Sequence, residues 1–218
     1  LGSVVGGFIG IEVAENLAKA GVKTTVVEMQ RTILPPLDDE MTVPLEKALV
    51  DNGIHLRTST SVTAFTRKTD GLHVELNNGE TLMADFVVMS VGVRPNSELA
   101  ASAGIQLTPK GSIIVNEKME TNIPDIYAVG DAVSVQDPIS GQLVNVPLAG
   151  PANRQGRIAA ENALGGQSVY KGTIGTSIVK VFHLTAGNTG ANEKTLQING
   201  IKFRKLYIHP VSHASYYP

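Results

Sequence analysis

The opening segment constrains this chain more than any other feature. A short apolar strand, Ser3-Val4-Val5, runs directly into Gly6-Gly7-Phe8-Ile9-Gly10. Ile9, Val13, Leu17 and Ala20 then recur at helical spacing, and Gly21 stands where a left-handed residue closes a helix. Val22 to Val27 reads as a second strand ending at Glu28. Two strands and a helix joined by so little chain imply a parallel pair with a right-handed crossover.

Further along, Pro35-Pro36 breaks the pattern and Asp38 is placed to cap a helix running towards Asn52-Gly53, which Pro44 is expected to kink or delay. Ile54 to Leu56 reads as a strand. Residues 61–83 alternate and carry Asn78-Gly79, a strong hairpin signal, so an antiparallel meander is expected there. Phe86 to Val91 is continuously apolar, as a strand buried on both faces would be. After Arg94-Pro95 the texture changes to isolated strands at Ser112 to Val115 and Ile126 to Val129. A helix follows from Asn153 to Leu164, stopped by Gly165-Gly166. From Gly172 onward the chain is β-rich over Thr176 to Leu184 and strand-like again at Lys205 to Ile208. The expectation is an α/β fold, a parallel sheet with an antiparallel β-meander insertion, in units 1–91, 92–166 and 167–218.

Composition removes several classes of function. Hydrophobic residues make up 42% of the 218, enough for a real core and too many for a disordered segment. A net charge of -2 leaves no basic footprint for nucleic acid or anionic lipid. With Cys at 0, the chain itself carries no disulfide, thiolate metal site or thiol chemistry. No apolar run approaches the ~18 residues of a membrane span and no secretory leader is visible, so a soluble chain with a cytoplasmic default is expected. It opens on Leu1, directly before a glycine-rich turn, and reads as a piece of something longer.

A strand that turns sharply into a helix over glycines lets backbone N–H groups approach a pyrophosphate at the helix N-terminus. Gly7 and Gly10 have the spacing of the second and third glycines of that fingerprint, while Val5 stands where the first belongs. Alone, the turn is equally compatible with a plain strand-to-helix connection. Glu28 lies about 20 residues on, at the tip of the second strand, where a carboxylate can accept both ribose hydroxyls of an adenosine. It would repel a 2′-phosphate, favouring NAD(H) over NADP(H). Arg31, three residues later, could still receive one, and a solvated glutamate at a strand end is the alternative.

Several stretches carry a family resemblance. Phe8-Ile9-Gly10-Ile11-Glu12-Val13-Ala14-Glu15 resembles the nicotinamide-binding segment of the flavoprotein pyridine nucleotide-disulfide oxidoreductases. The run from Thr121 to Asp131, ending Ile126-Tyr127-Ala128-Val129-Gly130-Asp131, is similar to their FAD-binding segment. Ser90-Val91-Gly92-Val93-Arg94-Pro95-Asn96 resembles the crossover between the two. Gly175 to Phe182, Thr189-Gly190 and His209 to Pro218 resemble the dimerisation domain of the coenzyme A-disulfide reductases and related NADH oxidases. The resemblance implies a Rossmann-like FAD/NAD(P)-binding fold plus the start of an α+β dimerisation domain. It also implies that an N-terminal FAD half and its redox cysteine lie outside these residues, so the chain alone should not turn over a disulfide.

By that resemblance NAD(H) would contact Gly7, Phe8, Ile9, Gly10 and Glu28, with Glu12 facing the nicotinamide and Gly92 and Val93 beneath it. FAD would meet Gly130, Asp131 (on its ribityl chain) and the backbone of Leu148, Ala149 and Gly150. Tyr216 and Tyr217 would reach across a homodimer towards a small disulfide or coenzyme A-type substrate. Each has a plainer alternative: an N-cap for Asp131, a helix entry for residues 148–150, a dipole-favoured first-turn carboxylate for Glu12, a turn before Pro95 for Gly92, and interface packing for the tyrosines. Asn153, Arg154 and Arg157 could hold an anionic substrate, though a solvated helix face accounts for them better. His209 and His213 stand four apart, but Pro210 disfavours the helix a metal pair would need, and no metal is expected. The activity implied is hydride transfer from NADH through FAD to a disulfide such as coenzyme A disulfide. The alternatives are an NADH oxidase or peroxidase on the same scaffold, or a non-catalytic nucleotide-binding and dimerisation module.

Overall fold

A computed structural model describes residues 3–4, 7–211 and 216. Expectations that fall on Val5, Gly6, His213 and Tyr217 lie outside the described residues.

The opening pattern folds as strand β1 (Ser3–Val4), helix α1 (Phe8–Lys19) and strand β2 (Thr25–Val27). β2 starts later than the apolar run because Val22 is used to close α1. Its N–H donates to the Leu17 carbonyl while Gly21, at φ 79°, donates to Ala18. Helix α2 (Asp39–Asp51) begins directly after Asp38 and continues through Pro44 without delay. Pro44 lies in the second turn, where it removes the N–H that would have met the Glu40 carbonyl and its ring crowds that carbonyl, a local cost the helix absorbs near its start. Strand β3 (His55–Arg57) follows, then a meander of β4 (Val62–Lys68), β5 (Gly71–Leu76) and β6 (Thr81–Ala84), turned at Asn78-Gly79. Strand β7 (Val88–Met89) returns to the first sheet.

That sheet has the order β3-β2-β1-β7, and every neighbouring pair is parallel. Ile11 and Ala14 of α1 and Leu45 and Leu49 of α2 bury against Val26 and Ile54. The meander docks through Val74, Leu76 and Ala84 onto Val27. Phe86 to Val91 is not the strand buried on both faces that its composition implies. Only Val88–Met89 pairs, with β1 alone among the described residues, and Met89 and Val91 are 54% and 66% exposed. An apolar run becomes a buried strand only where other elements cover it.

A second core gathers around helix α3 (Glu98–Ser102), strands β8 (Ile113–Ile114), β9 (Val133–Gln136) and β10 (Leu143–Val144), and helix α4 (Ala149–Ala163). β8 and β9 pair in parallel, β9 and β10 antiparallel, and Met119, Val133, Val135, Ala159 and Tyr170 fill the space between. Ile126 to Val129 forms no strand. Its ladder amounts to a single bridge, Glu120 to Tyr127, and the chain then tightens into a 3-10 turn at Gly130–Ala132 before β9. α4 starts four residues earlier than Asn153, because Pro151 falls in the first turn, where its missing N–H has no partner to lose.

The last part forms an antiparallel hairpin, β11 (Ser177–Val181) and β12 (Leu184–Asn188), and helix α5 (Glu193–Ile198), N-capped by the Asn192 side chain. Val179 and Val181 join the first core. Lys205 to Ile208 forms no strand either: it has no ladder partner among the described residues, and Leu206 and Ile208 are 84% and 72% exposed. Among the described residues no helix is long and apolar enough to cross a membrane.

Candidate functional site

Because the four strands of the first sheet run the same way, the residues that follow β1, β2 and β7 emerge along one edge. These are the Gly7 turn, Glu28 and Gly92. From β1 the chain continues to β2 on one side, while its other neighbour, β7, is reached only much later. A parallel sheet opens a crevice at such a switch point, outside the strands' carboxyl ends.

Gly7 caps α1 with φ -76° and ψ 174°, a conformation open to any residue, and a Cβ there would meet nothing within 4 Å. The fold therefore does not itself demand a glycine here. The space in front of the helix N-terminus is what a side chain would obstruct, which fits the close approach of a phosphate to the N–H groups of the first turn. Phe8 packs on the first core, Gly10 is buried and Ile9 is 57% exposed.

Glu28 is 3% exposed, which rules out a solvated strand-end carboxylate. Its Oε1 accepts the Gln30 N–H at 2.7 Å, while its backbone N–H donates to Arg57 and its carbonyl accepts from Thr60. The carboxylate is thus fixed at the tip of β2. Glu12, expected in the first helical turn, is the fifth residue of α1 and exposed, so its dipole explanation loses force. Gly92 has φ 94° and is exposed. Val93 is 62% exposed and borders a cleft with Leu107, Ile114 and Leu143.

The two segments that resemble flavin contacts come together elsewhere. Gly130, at φ 79°, donates its N–H to Oε1 of Gln155 at 2.7 Å, and Gln155 is 2% exposed on α4. A Cβ on Gly130 would lie 3.9 Å from the Ala152 Cβ. Nδ2 of Asn145 donates to the carbonyls of Asp131 and Val133, both at 2.7 Å. Asp131 is exposed, and it opens the turn into β9 rather than ending a strand. Leu148 is the extended N-cap of α4, and Ala149 and Gly150 are its exposed first residues, so these three do not precede the helix but begin it. An anionic group there would face the positive end of α4.

Sequence reasoning missed Gln155 and Asn145. A signal existed for Gln155: it shares the buried stripe of α4 with Ala159 and Asn162, and a polar residue in such a stripe requires a partner.

Other expected residues stay apart. Tyr216 is 81% exposed, and His209, Arg154 and Arg157 are exposed as well. Asn153 donates from Nδ2 back to the Ala149 carbonyl. Three carboxylates, Asp38, Glu40 and Glu193, lie within 4.8 Å of one another, but Nζ of Lys205 is paired with both Glu40 and Glu193. Asp38 accepts the Glu193 N–H at 2.8 Å. On α1, Glu15 is 5% exposed; burial pushes its pKa up, but the Lys19 ammonium and the Phe182 N–H, which donates to Oε2 at 2.8 Å, hold it below the ordinary value.

A family model described as pyridine nucleotide-disulphide oxidoreductase matches residues 3–156. The coenzyme A disulfide reductase of Staphylococcus aureus (strain bovine RF122 / ET3-1) is 33% identical over 217 residues, spanning 99% of this chain and 48% of that protein. The NADH oxidase of Enterococcus faecalis is 36% identical over 200 residues, 91% of this chain and 45% of that one. The crystal structure of reduced Bacillus anthracis CoADR-RHD superposes with a TM-score of 0.94 at 41% identity, over 100% of this chain and 39% of that one. The chain thus spans about half the length of the curated relatives it matches. With a parallel sheet open at its carboxyl edge and a family model matched over residues 3–156, the chain belongs to the pyridine nucleotide-disulphide oxidoreductase family.

Proposed function

We propose that this chain supplies the NADH-binding unit and part of the flavin-contacting surface of a flavoprotein oxidoreductase that reduces a disulfide such as coenzyme A disulfide. The observation that carries this reading is the placement of the Gly7 turn, buried Glu28 and Gly92 along one edge of a parallel sheet. The Gly7–Gly10 turn would hold the pyrophosphate, Glu28 the adenosine ribose, and Glu12, Gly92 and Val93 the nicotinamide end. The turn of Gly130 and Asp131 and the α4 N-terminus at Leu148, Ala149 and Gly150 would hold FAD. When bound, FAD supplies two-electron exchange between reduced nicotinamide and a disulfide. The chain's own part is to bind, to orient and to favour negative charge at the start of α4, where the first N–H groups have no acceptor within the helix.

The similarity to an NADH oxidase at 36% identity supports oxygen as a second acceptor on the same scaffold. A homodimer is the proposed assembly, supported by the exposed apolar run of Leu206, Ile208 and Val211. Tyr216 and Tyr217 are proposed to serve the partner's site.

Glu28→Ala tests the nucleotide reading. Removing a charge-assisted contact should weaken NADH binding roughly five- to tenfold, on the order of 1 kcal/mol, in a fluorescence titration. An unchanged affinity in a folded variant would remove Glu28 from the site and the reading with it.

A further inference from the structure

Arg31 follows Glu28 by three residues, in the loop that joins β2 to α2. A cation at this place is a natural receiver for a ribose 2′-phosphate, yet in the fold it is engaged. Its Nη2 lies 2.6 Å from Oδ2 of Asp39, the first residue of α2, although the Arg31 side chain is 78% exposed. The other oxygen of Asp39 takes Nζ of Lys194 at 2.5 Å and the Thr32 hydroxyl at 3.2 Å. The same loop is gripped twice more from the α5 side: Asn192 Nδ2 donates to the Pro35 carbonyl at 3.0 Å, and the Glu193 N–H donates to Asp38. Arg57, at the end of β3, stands 3.9 Å from Glu80.

We propose that Asp39 is a specificity-determining residue: it holds Arg31 against α2 and so withholds from a 2′-phosphate the cation best placed to receive it. Glu28 disfavours NADPH by repulsion, while Asp39 does so by removing an attraction. The two are independent, because Asp39 acts without touching the nucleotide. The Lys194 bond makes Asp39 a fixed anchor, since a carboxylate already ordered by one cation on α5 offers its second oxygen to Arg31 at little further entropic cost. The Lys194 ammonium, then the Arg31 guanidinium, hold the Asp39 carboxyl well below its usual range, at about 2, so the anchor stays charged at any pH where the protein would bind coenzyme.

This inference rests on the reading of Glu28 as the ribose partner, and titration of the purified protein with NADH and with NADPH separates the two. Three variants are compared with the parent: Arg31→Ala, Asp39→Asn and the double variant. With Arg31 withheld, Arg31→Ala changes the NADPH affinity less than twofold. Asp39→Asn releases the guanidinium and improves the NADPH-to-NADH affinity ratio by about fivefold, the upper end for an exposed ion pair. The double variant returns that ratio to the parent value. A several-fold loss of NADPH binding in Arg31→Ala would show that Arg31 is already available and overturn the proposal, and that exposed side chain can be removed without threatening the fold. An unchanged ratio in Asp39→Asn, or a gain that survives in the double variant, would overturn it as well. If Glu28→Ala lowers NADH affinity while these variants fail, only Asp39 is rejected. If Glu28→Ala has no effect, the ribose reading and this inference fall together.

Discussion

Glu15 gives the sharpest test of how the opening helix is held. It is buried on α1, yet its carboxylate reaches out of its own unit: Oε2 accepts the Phe182 N–H at 2.8 Å, where the β11–β12 hairpin turns, and Oε1 takes Nζ of Lys19. Phe182 sits at φ 53° in the hairpin turn, and its half-buried N–H has Glu15 as the acceptor that the fold provides. The i,i+4 pair with Lys19, whose side chain is 54% exposed, contributes about 0.4 kcal/mol. Orphaning the Phe182 N–H costs about 1–3 kcal/mol. Glu15→Ala should therefore lower stability by about 2 kcal/mol, whereas Glu15→Gln, which keeps an acceptor oxygen and loses only the charge, should lower it by about 0.5 kcal/mol. Urea unfolding followed by far-UV circular dichroism reads the difference directly; with Trp at 0 the chain offers no indole signal. Equal losses in the two variants would refute the reasoning, because the charge rather than the N–H acceptor would then carry the bond.

Acid should weaken the junction between α2 and α5. The Asp39 pKa is lowered from 3.8 to about 2, so its contribution is complete above about pH 4 and vanishes as pH falls through about 2. In urea midpoints measured from pH 2 to 5, Asp39→Asn should erase that part of the acid slope, and an unaltered slope would contradict the ion-pair account. Gly130→Ala should cost about 1–2 kcal/mol through its left-handed φ and displace the turn that faces Ala152. Flavin retained by the protein after gel filtration should fall with it, and full retention would detach Gly130 from the flavin site.

How much was legible depended on where each segment finds its partners. The first crossover could be read because its signals are local: the helical spacing from Ile9 to Ala20, the closing Gly21 and the glycine turn all lie on α1 or beside its ends. The meander was legible for the same reason, since Asn78-Gly79 fixes its own hairpin. Strand assignments failed where pairing is not local. Ile126 to Val129 has strand composition but a single bridge, Lys205 to Ile208 has none among the described residues, and Phe86 to Val91 has core composition without cover. Among the candidate residues, Gly7 at the entry to α1 and Glu28 at the tip of β2 could be located on the fold from their spacing. The partners of Gln155 and Asn145 could not, because each acts on backbone far away in sequence: Gln155 on Gly130, and Asn145 on Asp131 and Val133. The buried stripe of α4 marks Gln155 as a residue that needs a partner, but no spacing names that partner.

The bond from Gln155 to Gly130 has a consequence for ligand binding. It crosses 25 positions of sequence and ties the turn at Gly130 to the helix that begins at Leu148. Two surfaces built by distant stretches of chain are thereby tied to each other, as jaws on one mount. On the proposed flavin reading, a cofactor that spans them would meet an opening already set and need not order it on arrival. Drift between the jaws would be felt first as a faster off-rate, long before the protein lost its shape.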